Sequence, residues 1–193
     1  MAASEEAMKW LHDISEVLPT NGPPEIREET GIDTIVLHCT AMPGWNVWDT
    51  ARYHTNPNHI SDEGCPTIAY AYFVEPDGLM YRCLSHDIRS WHVGPWNDRA
   101  LGVCMAYDAE EEPPPREQLL AAAELCATLA LELELGPDRV KGHRELEGTG
   151  YVVENGVREE RKKCPGRAVD MDAFRRLVGE LMARPEGPEV RNA

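Results

Sequence analysis

Three residues far apart in the chain carry side chains suited to one piece of chemistry. His38 closes the run Ile32 to Thr40, IDTIVLHCT; His143 lies in Gly142-His143-Arg144; Cys164 lies in Lys162-Lys163-Cys164-Pro165. Two imidazoles and a thiolate fill three corners of a tetrahedron and leave the fourth open, the form of a catalytic zinc site rather than a closed structural one. Such a set works only if the backbone holds all three donors rigidly. His54, His59 and His86 stand as alternative imidazole donors, while His12 reads as a surface or packing residue.

The elements that must position these donors are legible in the periodicity. Thr34-Ile35-Val36-Leu37 is a β-branched, apolar run that reads as a strand buried on both faces and delivers His38 at its end. Before it, Ser4 can cap a helix through about Leu18, because Met8, Leu11, Ser15 and Leu18 recur at helical spacing. After it, AMPGWNVWD forms a turn, and a short helix spans about Trp48 to His54. Trp45 and Trp48 in this region either line a groove or plug the core locally.

Thr67 to Val74 reads as a strand, and the turn EPDG predicts a hairpin with Leu79 to Arg82. Ile88 to Asn97 is a glycine-broken aromatic loop carrying His92, and Leu101 to Tyr107 resumes as a strand. The acidic, proline-rich DAEEEPPP is a solvated connection. Arg116 to Leu135 is the longest helix, with Leu119, Ala122, Cys126, Leu129 and Leu133 as its apolar stripe. Arg139-Val140-Lys141 is a short approach to His143, Glu147 to Arg161 is a loop or small hairpin, and Asp170 caps a last helix. Phe174, Leu177, Val178 and Leu181 of that helix face inward, and the tail after it frays.

The chain has 193 residues and 42% hydrophobic content, enough for one domain with a sizeable core. Its formal net charge of -15, from 34 acidic against 19 basic residues, repels a phosphate backbone and argues against a nucleic-acid partner. No segment approaches a membrane span, and MAASEEAMKW has no apolar run long enough for a signal peptide. The six cysteines show no CxxC spacing. Most read as reduced core residues with Cys164 as the chemical one, although one pair could still form a disulfide.

Taken together, HCTA, WHVG, LGVCM, GHRE and KKCPG resemble the type 2 N-acetylmuramoyl-L-alanine amidases. That family includes the peptidoglycan recognition proteins and small phage lysozyme-amidases, and LGVC with the KxCP ending is most similar to the phage enzymes. The resemblance implies an α/β fold: a single domain with a central mixed β-sheet flanked by helices. It divides the chain into an N-terminal helical extension (1–30), a catalytic domain (31–183) and a flexible tail (184–193).

The resemblance also implies Zn2+ held by His38, His143 and Cys164, with Tyr70 and Lys162 as catalytic groups. His92, Asn97, Trp45 and Arg144 are the expected substrate contacts. The family's YHF appears here as Tyr70-Ala71-Tyr72, and Cys104 stands where many members place a glutamate. The implied reaction is hydrolysis of the amide between N-acetylmuramic acid and L-alanine in peptidoglycan by a phage endolysin. The expected enzyme is a monomer without membrane insertion, held in the host cytoplasm until release to the wall. A cytoplasmic muropeptide-recycling amidase and a non-catalytic peptidoglycan-binding module are the alternatives. In so acidic a protein, attraction of stem-peptide carboxylates must come from a local patch, expected around Lys162, Arg144 and Arg82.

Overall fold

The computed structural model describes residues 11–28, 31–108, 113–154 and 157–184. Its centre is a six-stranded mixed sheet built from β1 (Leu11–Asp13), β2 (Thr34–Cys39), β3 (Tyr72–Val74), β4 (Met80–Arg82), β5 (Ala100–Met105) and β6 (Val140–Gly142). The strand order is β1-β4-β3-β5-β2-β6, and only β3 and β4 pair antiparallel, as the hairpin expected from EPDG. Among the described residues three α-helices accompany it: α1 (Val47–Thr55), α2 (Arg116–Glu132) and α3 (Met171–Met182). The expected α/β domain with a central mixed sheet is the one observed.

β2 is buried along its whole length, consistent with its uninterrupted apolar run in a strand with parallel neighbours on both sides. Side chains alternate across it. Ile35 and Leu37 join the large core that includes Leu101, Val103, Leu125 and Leu129, whereas Val36 joins a smaller cluster with Val93, Ala100 and Leu146 on the other side. α2 packs on the sheet and against α3, so it buries more than the stripe read from the sequence. Ala121, Ala123, Leu125, Ala127 and Ala130 are buried too, while Leu119 and Leu133 are only partly covered. The buried Gln118 amide donates to Val74 O at 2.9 Å and Ala106 O at 3.1 Å, tying α2 to the ends of β3 and β5.

Two local expectations change, while the small hairpin allowed for after His143 does form. The helix expected through Leu18 is not formed over residues 11–18: Leu11–Asp13 is an edge strand parallel to β4, and Ile14 N donates to Arg82 O at 3.0 Å. Pairing with an available strand edge outweighed the helical spacing there, while the first turn predicted around Ser4 lies outside the described residues. The strand expected from Thr67 forms only from Tyr72, so Tyr70 sits on irregular backbone before it. The charged stretch after His143 folds as a two-stranded hairpin, β7 (Tyr151–Glu154) with β8 (Val157–Glu160). α3 starts as predicted, with Asp170 accepting from Asp172 N and Ala173 N. The tail beyond Arg184 is outside the described residues.

Among the described residues no helix is long and apolar enough to cross a membrane. Leu129 is fully buried between sheet and helices, so Leu129→Ala should cost about 3 kcal/mol of stability, within the usual range for a core leucine. Denaturant unfolding measures this, and metal uptake by the folded variant should match that of the unmodified protein.

Candidate metal centre

The sheet brings the first two donors together by register. β2 and β6 run parallel with Leu37 opposite Gly142, so His38 and His143 follow one another off adjacent strand ends. This is the carboxyl edge of the strands, where open α/β sheets place their ligands. Cys164 arrives on the loop after the β7–β8 hairpin. Arg144 fixes that loop: its backbone N donates to Cys164 O at 2.9 Å, and its guanidinium donates to Gly166 O at 2.5 Å and Val169 O at 2.6 Å.

The donor atoms of His38, His143 and Cys164 all lie within 4.8 Å of one another. His38 Nδ1 is 3.7 Å from Cys164 Sγ. Tetrahedral zinc with ordinary Zn–N and Zn–S bonds separates such a pair by about 3.6 Å, so the donor set fits the ion by chemistry and by spacing.

The tautomer of His38 follows from its neighbours. His92 Nε2 lies 3.3 Å from Ala100 O, which can only accept, so His92 carries its proton there. Burial pushes the His92 imidazole down to about 3, which keeps it neutral and leaves Nδ1 as an acceptor. His38 Nε2, 2.9 Å away, must then be the donor. Burial, with smaller contributions from His143, His92, His54 and Lys162, holds His38 well below the ordinary histidine range. Its one proton is on Nε2, and the Nδ1 lone pair facing Cys164 is free for a metal. His143 is held down to about 4, first by burial and then by Lys162, and its Nε2 meets Thr149 Oγ1 at 2.9 Å.

Two glycines make these approaches fit. A Cβ on Gly102 would stand 2.9 Å from His92 Nδ1, so the bare strand is what lets the imidazole lie across β5 and reach His38. A Cβ on Gly150 would collide with His143 O at 1.9 Å. Gly150 O in turn accepts from Arg161 N at 2.9 Å and Lys162 N at 3.0 Å, which fastens the end of the hairpin beside the site.

The donors open into a cavity of about 860 Å³. Trp45 and Tyr70 line it as expected; Tyr70's ring is 4.9 Å from that of His38. Burial holds the Tyr70 hydroxyl well above the usual phenol range, so near neutral pH it is an O–H donor and not a base. Lys162 lines the cavity together with Arg161 and Lys163, and no carboxylate is among the described lining residues. In a chain of net charge -15 this is a local reversal of sign.

Other expected contacts are placed elsewhere. Asn97 is buried, and its Oδ1 accepts from His92 N at 3.1 Å and Val93 N at 2.8 Å, so it holds the loop and is not part of the lining. Arg144 is committed to the carbonyls of the Cys164 loop. His92 touches the cavity, but both ring nitrogens are engaged behind it. Arg82 lies on β4 beside Asp13, outside the lining. The alternative donors also separate: His86 Nε2 bonds Tyr72 Oη at 2.7 Å, and His59 Nδ1 bonds Tyr53 Oη at 2.5 Å. His54 Nδ1 accepts from Ala69 N at 3.1 Å while its ring stands edge-on to Tyr70.

Sequence reasoning did not find Thr149, Gly150 or Arg27. Arg27 donates to His86 O, Asn97 O and Ala100 O, and so braces the backbone that receives the His92 proton. A Thr-Gly pair in a charged loop carries no local signal of such contacts. Cys39 is a further neighbour: its backbone N donates to Cys164 Sγ at 3.1 Å, and the two Sγ atoms are 3.6 Å apart.

The model of the N-acetylmuramoyl-L-alanine amidase family, Amidase_2, matches residues 28–167. This chain belongs to that family. The family likeness read from HCTA, WHVG, LGVCM, GHRE and KKCPG therefore holds. Among curated relatives of this amidase-family chain, peptidoglycan-recognition protein LB of Drosophila melanogaster is 27% identical over 163 residues, covering 82% of this chain and 61% of that protein. Peptidoglycan recognition protein 1 of mouse is 29% identical over 100 residues, covering 47% of this chain and 51% of its own. The chain thus spans about half to three fifths of the length of these relatives.

Solved structures share the fold. An endolysin N-acetylmuramoyl-L-alanine amidase from Clostridium intestinale aligns with TM-score 0.69 at 17% identity, over 88% of this chain and 95% of its own. Drosophila peptidoglycan recognition protein SD aligns with TM-score 0.64 at 21% identity, over 93% and 96% respectively.

Two expected outcomes follow from the geometry. Gly102→Ala should push the His92 ring off its place and lower zinc affinity about 10- to 100-fold, the usual cost of losing a ligand's outer partner. A competitive chelator titration measures this; unchanged affinity would show that His92 does not orient His38. The second concerns protons. Burial holds His54 down to about 4, below its unfolded value, so its contribution to stability is present above about pH 6.5 and is lost as pH falls towards 4. At pH 5 the loss should be about 2 kcal/mol. Denaturant titration of chelated protein at pH 7 and pH 5 should show a smaller difference in His54→Asn.

Proposed function

We propose that the protein is a zinc-dependent N-acetylmuramoyl-L-alanine amidase. It would cleave the amide between the lactyl group of N-acetylmuramic acid and the first L-alanine of the peptidoglycan stem peptide. The observation that carries this reading is the convergence of His38, His143 and Cys164 at the base of a cavity whose described lining includes Arg161, Lys162 and Lys163 and no carboxylate. Stem peptides carry carboxylates, and a pocket of one sign concentrates the opposite sign even in a protein of unfavourable net charge.

Bound zinc supplies a nucleophile from water near neutral pH and polarises the scissile carbonyl. The chain does the rest. His38, oriented by His92, His143, backed by Thr149, and Cys164, carried on the Arg144-braced loop, would hold the ion. Tyr70 stays protonated and donates its O–H to the negative charge building on the carbonyl oxygen. Lys162, fixed at its backbone by Gly150, offers a mobile cation to the same charge and a proton to the departing amine. Trp45 forms an aromatic wall for the substrate.

The biological setting we propose is a phage endolysin, acting as a monomer, held in the host cytoplasm until the membrane is opened. Endolysins among its fold neighbours support this, including that of a Thermus scotoductus bacteriophage at TM-score 0.61. A second reading, binding without hydrolysis, is favoured by the curated relatives, which are named as recognition proteins. One solved structure of the same fold is the ectodomain complex of peptidoglycan recognition proteins LCa and LCx bound to tracheal cytotoxin.

Mass spectrometry of purified sacculi incubated with zinc-loaded or chelated protein separates the readings. Zinc-dependent release of stem peptides with a free L-alanine amine is the expected result. New reducing sugar ends, or tight binding without products, would reject it. Lys162→Ala should lower turnover by about 10²- to 10³-fold, as for loss of one transition-state donor, while Lys163→Ala should retain most activity. The reverse ranking would move the cationic role to Lys163.

A further inference from the structure

The chain has six free cysteines, and two of them lie at the metal centre. Cys65, Cys83, Cys104 and Cys126 are buried and are not among the cavity's lining residues, whereas Cys39 and Cys164 both line it. Their Sγ atoms are already 3.6 Å apart. A disulfide needs about 2.05 Å, so the sulfurs must close by roughly 1.5 Å. Cys39 sits on the last residue of β2, a rigid strand, whereas Cys164 sits on a loop between the hairpin and α3. Arg144 holds the Cys164 carbonyl, so rotation of the two side chains must supply most of the movement.

We infer that Cys39 and Cys164 form a reversible disulfide that takes the third donor away from the metal and so switches the site off under oxidising conditions. The consequence for the metal rests on the reading of Cys164 as a ligand; the crosslink itself does not. The oxidant is a hydroperoxide small enough to enter the cavity, such as hydrogen peroxide. One sulfur attacks the peroxide O–O bond, becoming a sulfenic acid and releasing water. The neighbouring sulfur then attacks the sulfenyl sulfur, the S–S bond forms, and the sulfenyl oxygen leaves as water with the second thiol proton. Two thiols and one hydrogen peroxide thus give one disulfide and two waters, the sulfurs losing two electrons and the peroxide gaining them.

The chemistry makes the metal a guard. A Cys164 thiolate shared with zinc is a poor partner for either step, so the loaded site resists oxidation and the empty one does not. Cys39 needs no metal role to act here. It supplies the resolving thiol that protects Cys164 from the irreversible sulfinic and sulfonic acids.

The test uses the full chain, reduced and stripped of metal, exposed to hydrogen peroxide, with a zinc-loaded sample beside it. Peptides are mapped without reduction, and zinc uptake is measured before and after dithiothreitol. The expected result is a crosslinked peptide pair containing Cys39 and Cys164, two hydrogens lighter than the free pair, slow to form in the loaded sample. Zinc uptake should fall in proportion and return on reduction. Cys39→Ser should give no such crosslink and should instead add oxygen to Cys164 with a loss of zinc uptake that persists after dithiothreitol.

Oxidation of Cys164 in the unmodified chain without a crosslink to Cys39 would overturn the inference, as would crosslinked protein that binds zinc unchanged. If the reduced chain takes up no zinc, the proposed function and the switch both fall, while the peptide map still reports whether the two sulfurs join.

Discussion

The parallel pairing of β2 with β6, with Leu37 facing Gly142, is the constraint on which the rest of the centre depends. It places two imidazoles from residues more than a hundred positions apart at neighbouring strand ends. Because side chains alternate along a strand, a slip of one residue would turn the approach to His143 the wrong way. The third donor is then recruited by the second: Arg144, adjacent to His143, binds the carbonyls of the loop that carries Cys164. One register thus fixes two candidate donors directly and the third through a single arginine.

Around that frame, protonation is set by burial. His38, His92 and His143 are all neutral because the interior disfavours their charged forms. Neutral imidazoles have one donor and one acceptor each, so the single fixed carbonyl of Ala100 dictates the orientation of protons along His92 and His38. The same burial that keeps the site receptive to a cation leaves its mouth to be charged by exposed side chains. Arg161, Lys162 and Lys163 supply that charge from the hairpin end, although Arg161 also pairs with Glu159 at 3.0 Å on the hairpin itself.

Much of this was legible in the sequence, for reasons that differ by residue. Thr34 to Leu37 announced a buried strand because an uninterrupted β-branched run has little alternative, and the EPDG turn announced the hairpin that follows Tyr72. The motifs around His38, His143 and Cys164 pointed to three side chains that the fold does bring together, because ligand chemistry restricts residue type. Contacts made to backbone were not legible. Arg144 lies inside a motif and Asn97 just after one, and nothing in their spacing says that their side chains turn to backbone amides and carbonyls. The edge strand at Leu11 was hidden for a related reason, since its pairing belongs to Met80–Arg82 and not to its own residues. His92 was placed near the site correctly, but its role behind His38 needed the ring geometry and the bare Gly102.

The attachment of Arg161 and Lys162 to Gly150 has a consequence for how such a domain can vary. The β7–β8 hairpin leaves and rejoins the body at nearly the same point, both arms meeting at one glycine. Its length is therefore decoupled from the position of the cation at its base. Residues could be added to or removed from the hairpin tip with the sheet, the ligand register and the lysine all undisturbed. The hairpin is in effect an appendage that can be resized while the chemical floor beneath it stays the same.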